Sequence, residues 1–373
     1  MIKRIAILTD GGDCPGLNPA IKWVVKTATD PKLSDQRGYN FEVVGIKDGW
    51  RGLMKYDSRH PVLPVGHRFD ESHFARLLSE DEVRTWDRVG GTRLGTTRTL
   101  YHDIKPDRWQ QVLDNIETMN LDALVAIGGD ETMEIASHLG SRGARIICLP
   151  KTIDRDLPET DYSLGFETAL DVIVEEIDRL RTTAHSHSRT FIMETMGRFA
   201  GHLAMSGGLA GGADIILIPE VPFDVDRIIE ILHAKRTKGQ RYAIVIVAEG
   251  AREKGMEQLT GQPYVPIPGG IAKSLAKRIE IGTGGEVRTV VLSHLQRGGV
   301  PCAYDRRMAR SFGTAAVQLV EEEKFGQMVV FRDGTFKSIP IPTDLSNFHK
   351  VDVANRYDVS EYSPRFSILD NHS

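Results

Sequence analysis

The chain has 373 residues, too many for one small core, and its 40% hydrophobic and 26% charged residues are those of a folded protein with two domains. A net charge of −4 excludes a general nucleic-acid binder while leaving room for local basic pockets that take phosphorylated metabolites. Cys14, Cys148 and Cys302 lie far apart with no C-x-x-C pair, which excludes a disulfide framework and a zinc cluster, and no apolar run approaches the ~20 residues of a bilayer span, so the chain reads as cytoplasmic.

The N-terminus runs straight into the apolar Ile5-Ala6-Ile7-Leu8, a strand rather than the core of a signal peptide. Strands are expected at 4–9, 121–127, 144–149, 190–195, 213–218, 241–248 and 288–293. Helical patterns lie at 107–118, 131–140, 166–181, 224–236, 268–280 and 304–321. The clearest is 166–181, where Phe166, Leu170, Ile173, Ile177 and Leu180 recur at three-and-four spacing. Continuous apolar strands alternating with helices predict an α/β fold whose mainly parallel sheets are covered on both faces. Ligands then belong beyond the carboxyl ends of the strands. The polar stretch 29–40 and the Gly-, Pro- and charge-rich stretch 251–267 read as surface insertions. The tail after about 340 has little periodicity and is expected to wrap the surface.

Glycines and charges gather where the strands end. The first loop is Asp10-Gly11-Gly12-Asp13-Cys14-Pro15-Gly16, whose paired glycines let backbone approach a ligand while the next helix offers free N–H groups to a phosphate. The second, Gly90 to Arg98, adds hydroxyls and a guanidinium. The third, Gly128-Gly129-Asp130-Glu131-Thr132, opens a helix; Asp130 can hold Mg²⁺ and Thr132 can donate to a phosphate. There is no G-x-x-x-x-G-K-[S/T], which excludes a P-loop. After strand 144–149 comes Lys151-Thr152-Ile153-Asp154-Arg155-Asp156. One of its carboxylates can take a proton from an alcohol while the other holds a metal or orients the first, and Lys151 offers a point charge to an anionic leaving group. Further on, Met196-Gly197-Arg198 follows a strand preceded by Arg189, and Arg288 and His294 flank another strand with Arg297 in the loop after it. Two arginines and a histidine near one strand end can chelate a phosphate; taken singly, each reads more readily as a surface arginine or a hydrogen-bonded core histidine.

In this order the motifs resemble the phosphofructokinase family: GGDCPGLN (11–18), GGTRLGTTR (90–98), GGDET (128–132), PKTIDRD (150–156), METMGR (193–198), VAEG (247–250) and RTVVLSHLQRGG (288–299). The resemblance implies two similar three-layer α/β/α domains with the active site in the cleft between them. Residues 1–165 plus about 297–340 would bind the donor; 166–296 plus the tail would bind fructose 6-phosphate. It implies Mg²⁺-dependent phosphoryl transfer to the sugar 1-hydroxyl. Asp154 would be the general base, Asp156 would support metal and charge balance, Asp130 would be the Mg²⁺ site, and Thr152 and Arg198 would hold the transferring group. Gly11, Gly12, Arg98, Glu131, Thr132 and Lys151 would bind the donor. Met196, Gly197, Arg198 and Glu249 would line the sugar, and Arg189, Arg288, His294 and Arg297 its 6-phosphate. Because the family draws two such arginines, here Arg189 and Arg288, from a neighbouring subunit, a homo-oligomer with shared sites is implied, dimer or tetramer.

The third loop departs from the GGDGS of ATP-using members. Glu131 puts a carboxylate where the α-phosphate and ribose of ATP would pass, and two like charges ~4 Å apart cost about 1 kcal/mol in water and about 4 at intermediate dielectric. Pyrophosphate stops short of it. Pyrophosphate-using members carry an aspartate there and a lysine where Lys151 stands. The expected activity is therefore pyrophosphate-dependent and reversible. An ATP-dependent 6-phosphofructokinase is the alternative within the same chemistry, and a non-catalytic sugar-phosphate-binding subunit is the alternative outside it. Two further departures are Asp10, which adds charge near a phosphate, and Arg155, a base that can offset Asp10 or pair with Glu131.

Overall fold

The computed structural model describes residues 2–255, 269–345 and 347–366. Of the insertion expected at 251–267, residues 256–267 lie outside the described residues, as does 268, where a helix was expected to start. In chain order the strands of the two larger sheets are β1 (Ile2–Thr9), β2 (Asn40–Ile46), β3 (Ala75–Leu78), β4 (Ala123–Gly128), β5 (Ile146–Pro150), β6 (Thr190–Thr195), β7 (Ile215–Leu217), β8 (Ala243–Ala248), β9 (Val287–Val291), β10 (Gln327–Arg332) and β11 (Thr335–Pro340). The chain divides into two compact units: Met1–Thr152, Leu157–Thr168 and Arg297–Asn347 form the first, and Ile153–Asp156, Ala169–Gln296 and Phe348–Ser373 the second.

The first unit is built on a seven-stranded sheet of order β11-β10-β5-β4-β1-β2-β3. Its interior is parallel; only the flanking pairs β2–β3 and β10–β11 are antiparallel. Every residue of β4 and β5 is buried, as continuous apolar runs covered on both faces require. One face carries a core that includes Leu8, Trp50, Leu124, Met133 and Met328. Strand order reverses about β1, with β2 on one side and β4 on the other, so the loops after β1 and β4 flank the crevice such a reversal opens. The second unit repeats the plan with an all-parallel sheet of order β7-β8-β6-β9, where β8 and β9 flank β6.

Two local expectations change. Within the polar stretch 29–40, Pro31–Arg37 is a short helix: Asp30 accepts the N–H groups of Lys32 and Leu33, proline occupies the first turn, and Gly38 ends it at φ +76°. The tail does more than wrap a surface. Tyr357 and Tyr362 are buried; the Tyr357 hydroxyl donates to Ile216 O at 2.5 Å, and Ile216 N–H donates to Tyr362 O at 2.7 Å. Tyr357 and Tyr362 thus join the second unit's core along β7. Among the described residues no helix is long and apolar enough to cross a membrane.

Candidate active site

In the first unit the loops after β1, β4 and β5 converge on Lys151. Its ammonium is buried and donates to Gly12 O at 2.5 Å. A Cβ on Gly11, which sits at φ +81°, would lie 3.3 Å from Lys151 Nζ and 3.8 Å from Thr132 Oγ1, so glycine alone leaves these groups room to meet a ligand. Thr132 is buried and its hydroxyl has no hydrogen-bond partner in the structure, a polar atom of the kind a bound phosphate would satisfy. The Gly90–Arg98 loop is fastened to the same place: Gly11 N–H donates to Thr97 O at 2.8 Å and Thr96 Oγ1 to Gly11 O at 2.7 Å.

Asp130 and Glu131 stand in the first turn of helix Asp130–Ser141, where the unpaired N–H groups favour negative charge. Glu131 is met by Arg98, whose Nη2 lies 3.2 Å from Oε1 and Nε 3.4 Å from Oε2. The carboxylate is thus paired with a residue of the Gly90–Arg98 loop. Among the described residues no group of three or more His, Cys, Asp or Glu is arranged to hold a metal. A single carboxylate such as Asp130 fits Mg²⁺, which keeps waters and takes its remaining ligands from phosphates.

Asp10, expected to add charge near a phosphate, lies within electrostatic reach of Lys151. It is fully buried, and Oδ1 accepts from Trp50 N–H at 3.2 Å and from Thr99 Oγ1 at 3.1 Å. Arg297, grouped by resemblance with the sugar-phosphate ligands, belongs to the first unit; its Nη1 donates to Asp13 O at 3.1 Å and lies over Gly12. Thr152 is fixed there as well, its carbonyl accepting from Ser163 Oγ at 2.7 Å.

The second unit holds Asp154 and Asp156, both buried, on either side of Arg155 at φ +54°. Met196, Gly197, Arg198 and Glu249 come together at the carboxyl ends of β6 and β8: Arg198 N–H donates to Glu249 Oε1 at 3.1 Å and Glu249 N–H to Thr195 O at 2.8 Å. Gly197 sits at φ +142°, and a Cβ there would meet Ala200 O at 2.6 Å. His294 lies in the turn after β9, with Nδ1 3.0 Å from Ser293 Oγ.

Arg288 and His294 do not form one phosphate chelate within a chain, because they lie at opposite ends of β9. Arg189 and Arg288 stand together at the amino ends of β6 and β9, both bonded to Glu286. Six extended residues of β6, at about 3.3 Å each, separate Arg189 from Met196. These arginines draw the Glu286 carboxyl below its usual range, the bond from Arg189 first. Sequence reasoning missed Glu286, and it missed Gln296, which accepts from Met196 N–H at 3.3 Å and donates to Ser293 O at 3.0 Å. It also missed the structural use of Glu194, which accepts the N–H groups of Gly269 and Ala272 and so caps helix Gly270–Thr283. None of the three had a signal beyond its place in a charged or polar motif.

A family model described as phosphofructokinase matches residues 4–320. The pyrophosphate–fructose 6-phosphate 1-phosphotransferase of Dictyoglomus thermophilum is 42% identical, over 92% of this chain and 92% of its own. The ATP-dependent 6-phosphofructokinase of Chloroflexus aggregans is 40% identical, over 94% and 93%. Among solved structures, phosphofructokinase from Saccharomyces cerevisiae superposes with a TM-score of 0.74 at 30% identity, covering 91% of this chain; the chain spans only 45% of that one.

Burial raises the Asp10 carboxyl to about 7, against the opposing pull of Trp50 N–H, the Thr99 hydroxyl and the charge of Lys151. The folded chain therefore keeps a proton there between about pH 4, where the unfolded carboxyl ionises, and about pH 7, so this group lowers folding stability as pH rises through that window. Asp10→Asn should remove that slope: its melting temperature gains on that of the parent from pH 4 to 7, and the difference levels off above 7. Parallel melting curves across that range would mean the carboxyl is already ionised where it is buried.

Proposed function

The chain belongs to the phosphofructokinase family, and we propose that it transfers a phosphoryl group from pyrophosphate to the 1-hydroxyl of fructose 6-phosphate. The observation that carries the donor assignment is Glu131, held by Arg98 at the opening of helix Asp130–Ser141. A carboxylate pinned there repels the α-phosphate of a nucleotide but lies beyond the reach of a two-phosphate donor. Overall similarity does not discriminate, since the Dictyoglomus and Chloroflexus relatives are almost equally close and carry opposite donor names. The Chloroflexus name is what favours the second reading, transfer from ATP.

In the proposed reaction Asp154 takes the proton of the 1-hydroxyl, and that oxygen attacks the near phosphorus of pyrophosphate. The bond from this phosphorus to the bridging oxygen breaks, and inorganic phosphate leaves beside Lys151, whose charge it partly neutralises. Thr132 Oγ1 and the backbone of Gly11 and Gly12 cradle the donor, and Thr152 and Arg198 hold the transferring group. Mg²⁺ on Asp130, with Asp156 balancing charge, would offset the negative charge of the phosphates. Met196, Gly197, Arg198 and Glu249 line the sugar, and by family resemblance His294 and Arg297 are assigned to its phosphate. The two phosphoryl compounds are close in transfer energy, so the reaction runs both ways. Asp130, Asp154 and Asp156 are all present, which speaks against a subunit that only binds sugar phosphate.

Donor choice is tested by steady-state turnover of fructose 6-phosphate with Mg²⁺ and either pyrophosphate or ATP. The parent should strongly prefer pyrophosphate, and Glu131→Gly should raise the ATP-to-pyrophosphate ratio of kcat/KM by about tenfold or more. Turnover with ATP alone in the parent would overturn the assignment. Arg189 and Arg288, standing at the strand ends opposite to Met196 and Glu249, are assigned to the site of a second copy. Arg288→Ala and Asp154→Asn should each be nearly inactive alone and regain turnover when refolded together; no recovery would confine each site to one chain.

A further inference from the structure

The strap that closes the second unit is bonded to the loop carrying Asp154 and Asp156. Phe348 leans on Phe199, ring centroids 5.9 Å apart. His349 N–H donates to Asp156 O at 2.8 Å, and His349 Nδ1 lies 3.2 Å from Arg155 O. A carbonyl can only accept, so Nδ1 carries the proton of that bond. On the other side the His349 carbonyl accepts from His202 Nε2 at 3.1 Å, and the two imidazoles stack with centroids 4.6 Å apart. Burial pushes His202 down to about 4, which keeps it a neutral Nε2–H donor at ordinary pH. Val351 N–H then donates to Glu220 Oε1 at 2.9 Å, the oxygen that also takes Gly201 N–H at 2.9 Å. One extended segment is thus tied both to the aspartate loop and to the turn that follows Arg198.

Both of those turns are strained. Arg155 sits at φ +54° and Arg198 at φ +50°, left-handed conformations that side-chain-bearing residues adopt only where their surroundings enforce them. Arg155 separates the two aspartates, so its backbone conformation sets the direction of both carboxylates. The bonds from His349 fall on the carbonyls of Arg155 and Asp156, where they oppose relaxation of that turn.

We propose that His349 is a positioning residue for phosphoryl transfer, holding the Asp154–Asp156 loop in its reactive conformation through the Nδ1–H bond to the Arg155 carbonyl. This rests on the reading that Asp154 acts in the transfer; His349 touches no reacting atom and works through the loop.

Two substitutions in the full chain separate the bond from the ring. His349→Phe keeps the stack on His202 and removes the donor, whereas His349→Asn places an amide N–H near the position of Nδ1 and removes the ring. His349→Phe should lower kcat about tenfold or more with KM for fructose 6-phosphate within about twofold, and His349→Asn should keep kcat within about threefold of the parent. Melting curves of both variants establish that each is folded at the assay temperature. The proposal is overturned if folded His349→Phe keeps kcat within about twofold. It is also overturned if folded His349→Asn loses as much kcat as His349→Phe is expected to, an outcome that decides the matter even should His349→Phe unfold. Asp154→Asn in the same assay separates the two levels: full turnover there refutes the role of the aspartate itself, while an inactive Asp154→Asn beside a fully active His349→Phe refutes only the positioning.

Discussion

The loop cluster of the first unit depends on one buried cation. Lys151 leaves the end of β5 with its ammonium removed from water, and its bond to Gly12 O joins that strand to the loop after β1. Burial lowers its pKa, and nearby acidic groups such as Asp130 favour the charged form. A buried ammonium with so few partners is costly by itself and becomes favourable when a phosphate arrives. The rest of the cluster follows from that. Gly11 must lack a Cβ for the ammonium to be reached, the hydroxyl of Thr132 stands ready beside it, and Asp10 ties the loop to Trp50 and Thr99.

The second unit solves a different problem, that of holding two acidic groups and a guanidinium in conformations the backbone resists. Arg155 and Arg198 both adopt left-handed conformations, and each is braced by a group from elsewhere in the unit: the strap at Arg155, Glu249 at Arg198. Strain of this kind persists only when packing over-determines it, and the burial of Tyr357 and Tyr362 supplies an anchor for the strap. The paired arginines at the amino ends of β6 and β9 are held apart from this cluster by the length of the strands. Glu286 bonds to both and offsets one of their two charges.

Much of the fold was legible in the sequence because parallel strands buried on both faces are continuous apolar runs; Ala123–Ile127 and Ile146–Leu149 announce themselves. Strand β2 was not, since Asn40-Phe41-Glu42 opens it with polar residues that run on from the helix Pro31–Arg37, and the edge strand β11 is mostly exposed. The glycines and aspartates after β1, β4 and β5 were legible because they follow strands; Gly90–Arg98, expected at a strand end, instead follows the short helical turn Trp86–Arg88. What escaped was reach: the partners of Glu131 and Asp10 are chosen by side-chain geometry across loops that lie far apart in the chain. The strap escaped for the same reason. Nothing in Phe348-His349-Lys350-Val351 indicates that its neighbours are Arg155 and Glu220.

The claim at the centre of this account is that Lys151 organises a pocket for pyrophosphate. Calorimetric titration of Mg²⁺-pyrophosphate into the parent and into Lys151→Met, a side chain of similar length without charge, tests it most directly. The account predicts binding to the parent and a loss of about tenfold or more in the variant. Equal affinity in the two proteins would contradict it.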